Sequence, residues 1–411
     1  MNKVTLSTGI GKLHFFDSAL ALHQAGYPIE VITGWRPEGR ERLVNLIGKL
    51  LGQNNLAKRL AARRPIGLDS VPVYSCSLAE GFAVLLNFLS KYSNLNASRA
   101  GTLACTQFGR ASKKFLHNSG IFHVRSSVGQ GGAIATARDR GMKIVVDHSI
   151  AHPAAMKAIL QSEFHRFGLA FNLQPENEFW QLILRDCADA DLLIVNSDYV
   201  RDTFIAANYP SEKIHVAYLG VKDDFFSLKQ NYQCKDEIRL LFTGHFDLRK
   251  GARVLLEALE ILQQQQINYR LDVVGFMASG EYALREHRNL QNIHFHSYVP
   301  QEELKQFFIQ ADIFVFPTFA EGSSRSAMEA MAAGLPVITT KNCGVPIEHM
   351  QNGWCVPIGD SENLAAAIQQ LGTDENLRRK LGTHAAQTIA NNYTWEHYAQ
   401  SVIRGYQKLV G

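Results

Sequence analysis

Two carboxylates eight residues apart, Glu321 and Glu329, lie in the stretch 312–340, DIFVFPTFAEGSSRSAMEAMAAGLPVITT. The apolar run 313–316, closed by Pro317, reads as a buried parallel strand. A small-residue turn follows, carrying Glu321 and Gly322, and then Ser324 to Ala333 has helix composition. Gly334 and Pro336 stop that helix before a further strand at 337–340. A carboxylate accepts hydrogen bonds from neighbouring hydroxyls, and backbone N–H groups at a helix start suit an anion. Open α/β sheets bind ligands at the carboxyl ends of their strands. The unit therefore predicts a site for a phosphorylated ligand that carries hydroxyls.

Two other turns could meet it. Residues 244–251, GHFDLRKG, place His245 and Lys250 beside another strand end. They do not form a Walker loop, because G-x-x-x-x-G-K-[ST] is absent. The turn 8–12 follows the first strand, and its Gly9 and Gly11 let backbone approach a ligand, although glycines there also serve turn geometry alone. Asp147-His148-Ser149 and His152-Pro153 follow the apolar run 143–146, again at a carboxyl end.

The elements that must position these residues read as strands at 4–7, 29–33, 71–74, 121–124, 143–146 and 192–195. A second series follows at 239–243, 271–274, 293–295, 313–316 and 337–340. Helical stretches such as 13–24, 81–92, 179–188 and 252–263 alternate with them, which means parallel sheets with helices on both faces. The run 128–132, VGQGG, opens another helix. Residues 217–226 and the polar stretch 227–236 read as the connection between two halves. The final helix, 394–409, carries Trp395, Tyr398, Val402, Tyr406 and Leu409 on one face that must pack on something.

Length and composition bound the rest. A chain of 411 residues exceeds one ordinary core and predicts two domains of roughly 200 residues. With 46% hydrophobic and 19% charged residues it is globular, and a net charge of +4 gives no argument for nucleic acid. Six cysteines without a CxxC pair predict buried free thiols in a reducing compartment and no metal site. The strand pattern starts at the N-terminus, so no signal peptide is expected, and runs such as 82–86 are far too short to span a bilayer. The expected location is cytoplasmic. The segment 40–64 is basic, with Leu43, Ile47, Leu50 and Leu51 at helical spacing. Such a helix can rest on anionic lipid at the inner membrane face, and an ordinary surface helix, the favoured reading, has the same pattern. Arg110, Lys113 and Lys114 extend its basic face if the fold brings them near.

The E-x7-E pair inside EGSSRSAMEAMAAGLPVI, the GHFDLRKG turn, ADADLLIVNSDYV, the connection AYLGVKDDFF and the closing YTWEHYAQSVIRGY occur in this order. In this the chain resembles the family 4 (group 1) retaining glycosyltransferases of the GT-B fold. The resemblance is densest over 244–359. It implies α/β architecture: two Rossmann-like domains with parallel sheets facing across a cleft. Residues 1–220 would bind the acceptor, 221–393 the nucleotide sugar, and 394–411 would cross back to the first domain. It implies transfer of a sugar from a nucleotide-diphosphate sugar to a hydroxyl acceptor such as a sugar, a glycolipid or a lipid-linked saccharide. The donor is a substrate, and no cofactor or metal is implied.

By the same resemblance Lys250 binds the diphosphate, Glu321 meets the donor sugar and Glu329 the ribose. His148 contacts the donor sugar, with His152 the runner-up. Gly11, His245, Gly322, Ser323, Ser324 and Arg325 complete the donor site. Two positions depart from the family pattern. His245 stands where many members have arginine, and Ser323, Ser324 and Arg325 replace small and apolar residues. Histidine is a weaker, pH-dependent cation, so Arg325 or Arg249 is expected to supply charge at the diphosphate. Other readings are a GT-B sugar-nucleotide epimerase and a non-catalytic sugar-nucleotide-binding protein. A dehydrogenase is disfavoured, since no G-x-G-x-x-G follows a strand with an acid downstream.

Overall fold

The computed structural model describes residues 2–11, 14–36, 65–93, 95–234, 236–297 and 299–410. The basic segment 40–64 lies outside the described residues. The first seven strands are β1 Val4–Gly9, β2 Ile29–Thr33, β3 Val73–Ser75, β4 Ile121–Arg125, β5 Lys143–His148, β6 Leu192–Val195 and β7 Ile214–Val216. They form one sheet in the order β3-β2-β1-β4-β5-β6-β7, and every pairing is parallel. A second parallel sheet follows, built from β8 Ile238–Thr243, β9 Tyr269–Val274, β10 Ile293–His296, β11 Ile313–Phe316, β12 Val337–Thr339 and β13 Trp354–Cys355. Its order is β10-β9-β8-β11-β12-β13. The architecture is GT-B: two Rossmann-like parallel sheets, with helices connecting most consecutive strands.

The central strands are the apolar runs legible in the sequence. Ile313, Phe314, Val315 and Phe316 have no exposed surface, nor have Ile144, Val145 and Val146. That is the requirement on a parallel strand covered by helices on both faces. Two strands, β7 and β13, were not expected. With three and two residues they are too short for a pattern, and they lie at sheet edges. The third strand begins at Val73, two residues later than the expected 71.

The polar stretch read as a connection runs along the second half. The Ser227 and Lys229 N–H groups donate to the Ala332 and Ala333 carbonyls at 2.9 and 2.8 Å. The Lys229 side chain is buried, with Nζ donating to the Ile309 and Ala311 carbonyls beside Asp312. Lys229 and Tyr232 are buried with partners, while Ser227, Gln230, Asn231, Gln233 and Asp236 stay exposed.

The last helix, Trp395–Val410, returns to the first sheet as expected. Tyr398, Ala399, Val402 and Tyr406 share a core with Leu6, Phe15 and Leu22. The Tyr406 hydroxyl lies 2.6 Å from Nδ1 of buried His123 on β4.

Candidate functional site

Each sheet reverses its winding once, between β1 and β4 and between β8 and β11. At such a point neighbouring connections leave in opposite directions and open a crevice at the carboxyl edge. The turns after β8 and β11 are thereby brought side by side, although 70 residues separate them. This is why Lys250 and Glu321 meet.

A cavity of about 610 Å³ lies where the two halves face each other. The first half supplies His14 after β1, Ser149 after β5, Asn196 after β6, and Leu219. The second supplies His245 and Lys250 after β8, Phe276 after β9, and Glu321, Ser323, Ser324, Arg325 and Glu329 around and after the turn that follows β11. All but Glu329, one turn into its helix, come from strand ends, turns or helix starts.

The second half's wall is set by close backbone approach. Gly275 has φ of +148°, and a Cβ there would stand 2.1 Å from the Gly244 carbonyl oxygen, so the β8 and β9 turns press together only without a side chain. Lys250 follows, its N–H held by Asp247 Oδ1 at 2.9 Å. Its Nζ lies 3.4 Å from Glu321 Oε1 and over the Phe316 ring, 5.3 Å from the centroid. Arg249 NH1 donates to the same Glu321 oxygen at 2.8 Å and to the Ala320 carbonyl at 2.6 Å. The helix Arg325–Ala333 starts at this point, capped by Ser324, whose side chain accepts from the Ala327 N–H. Glu329 is half-buried on that helix. Burial pushes its carboxyl up to about 7, against the pull of Arg325 and Lys222.

Polar atoms without a protein partner gather here. Ser323 Oγ, Thr243 Oγ1 and Asn196 Oδ1 are buried, have no hydrogen-bond partner among the described residues, and belong to residues that line the cavity. Buried polar groups are normally satisfied, so the site offers donors and acceptors to a polar occupant.

On the first half, His14 Nε2 lies 3.2 Å from Asp147 Oδ1, and His123 Nε2 lies 3.7 Å from Asp147 Oδ2. Burial alone would raise the Asp147 carboxyl. The charges and hydrogen bonds of His14 and His123 outweigh it and hold the group well below the usual carboxylate range. His14 therefore stands at the cleft end of a buried polar chain that runs through Asp147 and His123 to Tyr406 of the last helix.

Seven of the expected residues line the cavity: His245, Lys250, Glu321, Ser323, Ser324, Arg325 and Glu329. His148 does not. Strand β5 runs on through His148, two residues past the expected end, so the ring points into the core. Its Nδ1 lies 2.9 Å from Ser126 Oγ, the ring packs on Phe204, and burial pushes its pKa down to about 4. Ser149, the next residue, takes the place at the cleft. His152 is an N-cap instead, its side chain accepting from the Ala154 N–H. Gly322 is a contact between the halves: Ser197 Oγ donates to its carbonyl, and a Cβ would stand 1.9 Å from the Ser149 oxygen. Gly11, with φ of +86°, is not part of the cavity wall. Arg249, expected beside Arg325 as a cation for the ligand, is engaged by Glu321.

His14, Ser149 and Asn196 were missed. A single histidine, serine or asparagine at a strand end has no spacing to mark it, and only the facing of the two sheets selects them.

Two sheets with carboxyl edges opposed across a polar cleft can be compared with known proteins. Residues 224–388 match the family model described as glycosyl transferases group 1. Among curated relatives, the amylovoran biosynthesis glycosyltransferase AmsK of Erwinia amylovora is 33% identical over 199 residues, 46% of this chain and 49% of AmsK. The putative colanic acid biosynthesis glycosyltransferase WcaL of Escherichia coli K12 is 31% identical over 213 residues, 48% of this chain and 51% of WcaL. The chain thus spans about half the length of the curated relatives it matches. Likeness of fold extends further. A sucrose-phosphate synthase from Thermosynechococcus elongatus superimposes with a TM-score of 0.70 at 17% identity, covering 100% of this chain and 99% of that one. HepE of Anabaena, solved in complex with UDP, gives 0.61 at 15% identity, with 99% and 100% covered. At these identities the likeness shows the GT-B fold.

Proposed function

We propose that the protein is a retaining glycosyltransferase that moves a sugar from a nucleotide-diphosphate sugar to a hydroxyl acceptor during polysaccharide, glycolipid or glycoconjugate assembly. The observation that carries this is the meeting of Lys250, Glu321 and the Ser324-capped helix start at one end of a cleft whose other wall comes from the first half. A cation beside a carboxylate and free helix N–H groups is what a diphosphate flanked by hydroxyls requires. The group 1 family match, relatives named as amylovoran and colanic acid biosynthesis glycosyltransferases, and a fold neighbour solved with UDP support the same reading.

In this reading the diphosphate lies against Lys250, Arg325 and the helix start, while His245 lines the same wall. Glu321 accepts from hydroxyls of the transferred sugar. Glu329, raised toward neutrality by burial, meets the ribose. Residues 221–393 hold the donor and 1–220 the acceptor, with His14, Ser149 and Asn196 facing the transferred sugar. The acceptor oxygen attacks the anomeric carbon on the face that the diphosphate leaves. The bond to the phosphate oxygen breaks with its electron pair, and the acceptor's proton passes to the leaving phosphate. Lys250 and the helix dipole stabilise the developing charge, a task that side chains and backbone can perform without a metal.

The test is incubation of the protein with a panel of sugar nucleotides and a sugar-lipid or oligosaccharide acceptor, with the product's anomeric configuration read by NMR. Transfer with the donor's configuration kept, unaffected by EDTA, is expected. An epimerised nucleotide with no transfer, or an inverted product, overturns the reading.

A further inference from the structure

The helix Ser77–Tyr92 of the first half carries an apolar face that no described residue covers. Leu78, Phe82, Leu85, Leu89 and Tyr92 recur along it in steps of four and three, and their exposure runs from 39% at Leu89 to 93% at Leu78. Phe88 widens the stripe, its ring centroid 4.8 Å from that of Tyr92. The opposite face holds the helix to the fold through buried Ala79, Ala83 and Leu86. A helix apolar on both faces is normally enclosed, and here only one face is.

Charge selects the occupant. Residues 77–115 contain five cations, Lys91, Arg99, Arg110, Lys113 and Lys114, and one carboxylate, Glu80. Glu80 is buried and accepts from the Trp35 N–H, so it does not balance the surface. The next helix, Ala97–Ser112, packs against the first and exposes Arg99, Leu103 and Arg110 at helical spacing along one side. Two copies of such a face would bring like charges together, whereas anionic lipid headgroups would neutralise them.

We infer that this pair of helices is a membrane-contact surface. It lies on an anionic phospholipid bilayer, with the apolar stripe at the boundary of the acyl chains and the arginines among the headgroups. No helix among the described residues is long and apolar enough to cross a membrane, and a helix anchored on one face and apolar on the other is built to lie in the interface. The surface is separate from the donor cleft, whose wall includes no residue of 77–115.

Vesicle flotation of the full chain tests this, using phosphatidylcholine vesicles with and without phosphatidylglycerol. The wild type is expected to float with anionic vesicles at low salt and not with phosphatidylcholine alone. Leu78→Ser/Leu85→Ser and Arg99→Glu/Arg110→Glu alter exposed side chains, so melting temperatures should hold while binding falls by about tenfold or more. The inference is overturned if the wild type stays unbound with anionic vesicles at low salt. It is overturned equally if both double variants float as the wild type does, or if sizing shows a dimer that Leu78→Ser/Leu85→Ser converts to monomer. The readout is lipid binding alone, so failure here leaves the donor-site reading standing, and failure of sugar transfer leaves this surface standing.

Discussion

Arg249 NH1 at 2.8 Å and Lys250 Nζ at 3.4 Å share one oxygen of Glu321. Neighbouring residues thus hold the carboxylate that is proposed to meet the transferred sugar, and Lys250 remains on the cavity wall. The places of Glu321, Glu329 and Lys250 on one cavity wall were legible because each sits in a strand–turn–helix context visible in the sequence. The direction of Arg249 was not, since the Ala320 carbonyl that captures it lies 71 residues away. Nor was His148 legible as a core residue: two further residues of strand decide whether a side chain faces core or cleft. Glu329 gives a prediction at this scale. Its folded pKa is raised from 4.5 to about 7, so the fold binds this proton more tightly than the unfolded chain does, and its contribution to stability falls as pH rises through that window. Glu329→Gln should therefore gain on the wild type from the lower value to the upper and level off above it, ahead by about 3 kcal/mol. Unfolding midpoints compared across that range check it, and a constant difference would show that the carboxyl is not desolvated.

The last helix is the element that joins the two ends of the chain. Its apolar face was plain from the spacing of Tyr398, Val402 and Tyr406, and the packing against the first sheet followed from it. The Tyr406 hydroxyl was not readable, because a tyrosine in an apolar stripe does not name its partner. It meets His123, which with Asp147 leads to His14 in the cleft. Tyr406→Phe removes one hydrogen bond to a buried ring without changing the volume much, and should cost about 1–2 kcal/mol. Denaturant unfolding reads this directly; an unmoved midpoint would mean that the hydroxyl is idle. The connection 227–236 teaches the converse. Its polarity marked it as the connection between halves, yet Lys229 and Tyr232 within it are buried with backbone carbonyls as partners.

Across the whole molecule, the two halves are tied at separate places. Arg253 Nε donates to Glu163 Oε1 at 2.7 Å, the charges of Glu163 and Glu257 outweighing the burial that would otherwise lower its pKa. Gly322 meets Ser149 and Ser197 at the second place. The two-sheet plan was legible from alternation of apolar runs and helical stretches. These cross-contacts were not, because no local pattern pairs residue 163 with residue 253. They bring two sheet edges together, and the cleft so formed is the basis for proposing a nucleotide sugar as substrate. The most direct measurement is calorimetric titration of the wild type and Lys250→Ala with the same panel of sugar nucleotides. One donor should bind the wild type, and its affinity should fall by about tenfold or more in the variant, as loss of a charged hydrogen bond worth about 1.5–3 kcal/mol requires. Absence of binding by every sugar nucleotide, or equal affinity in the two proteins, would contradict the account.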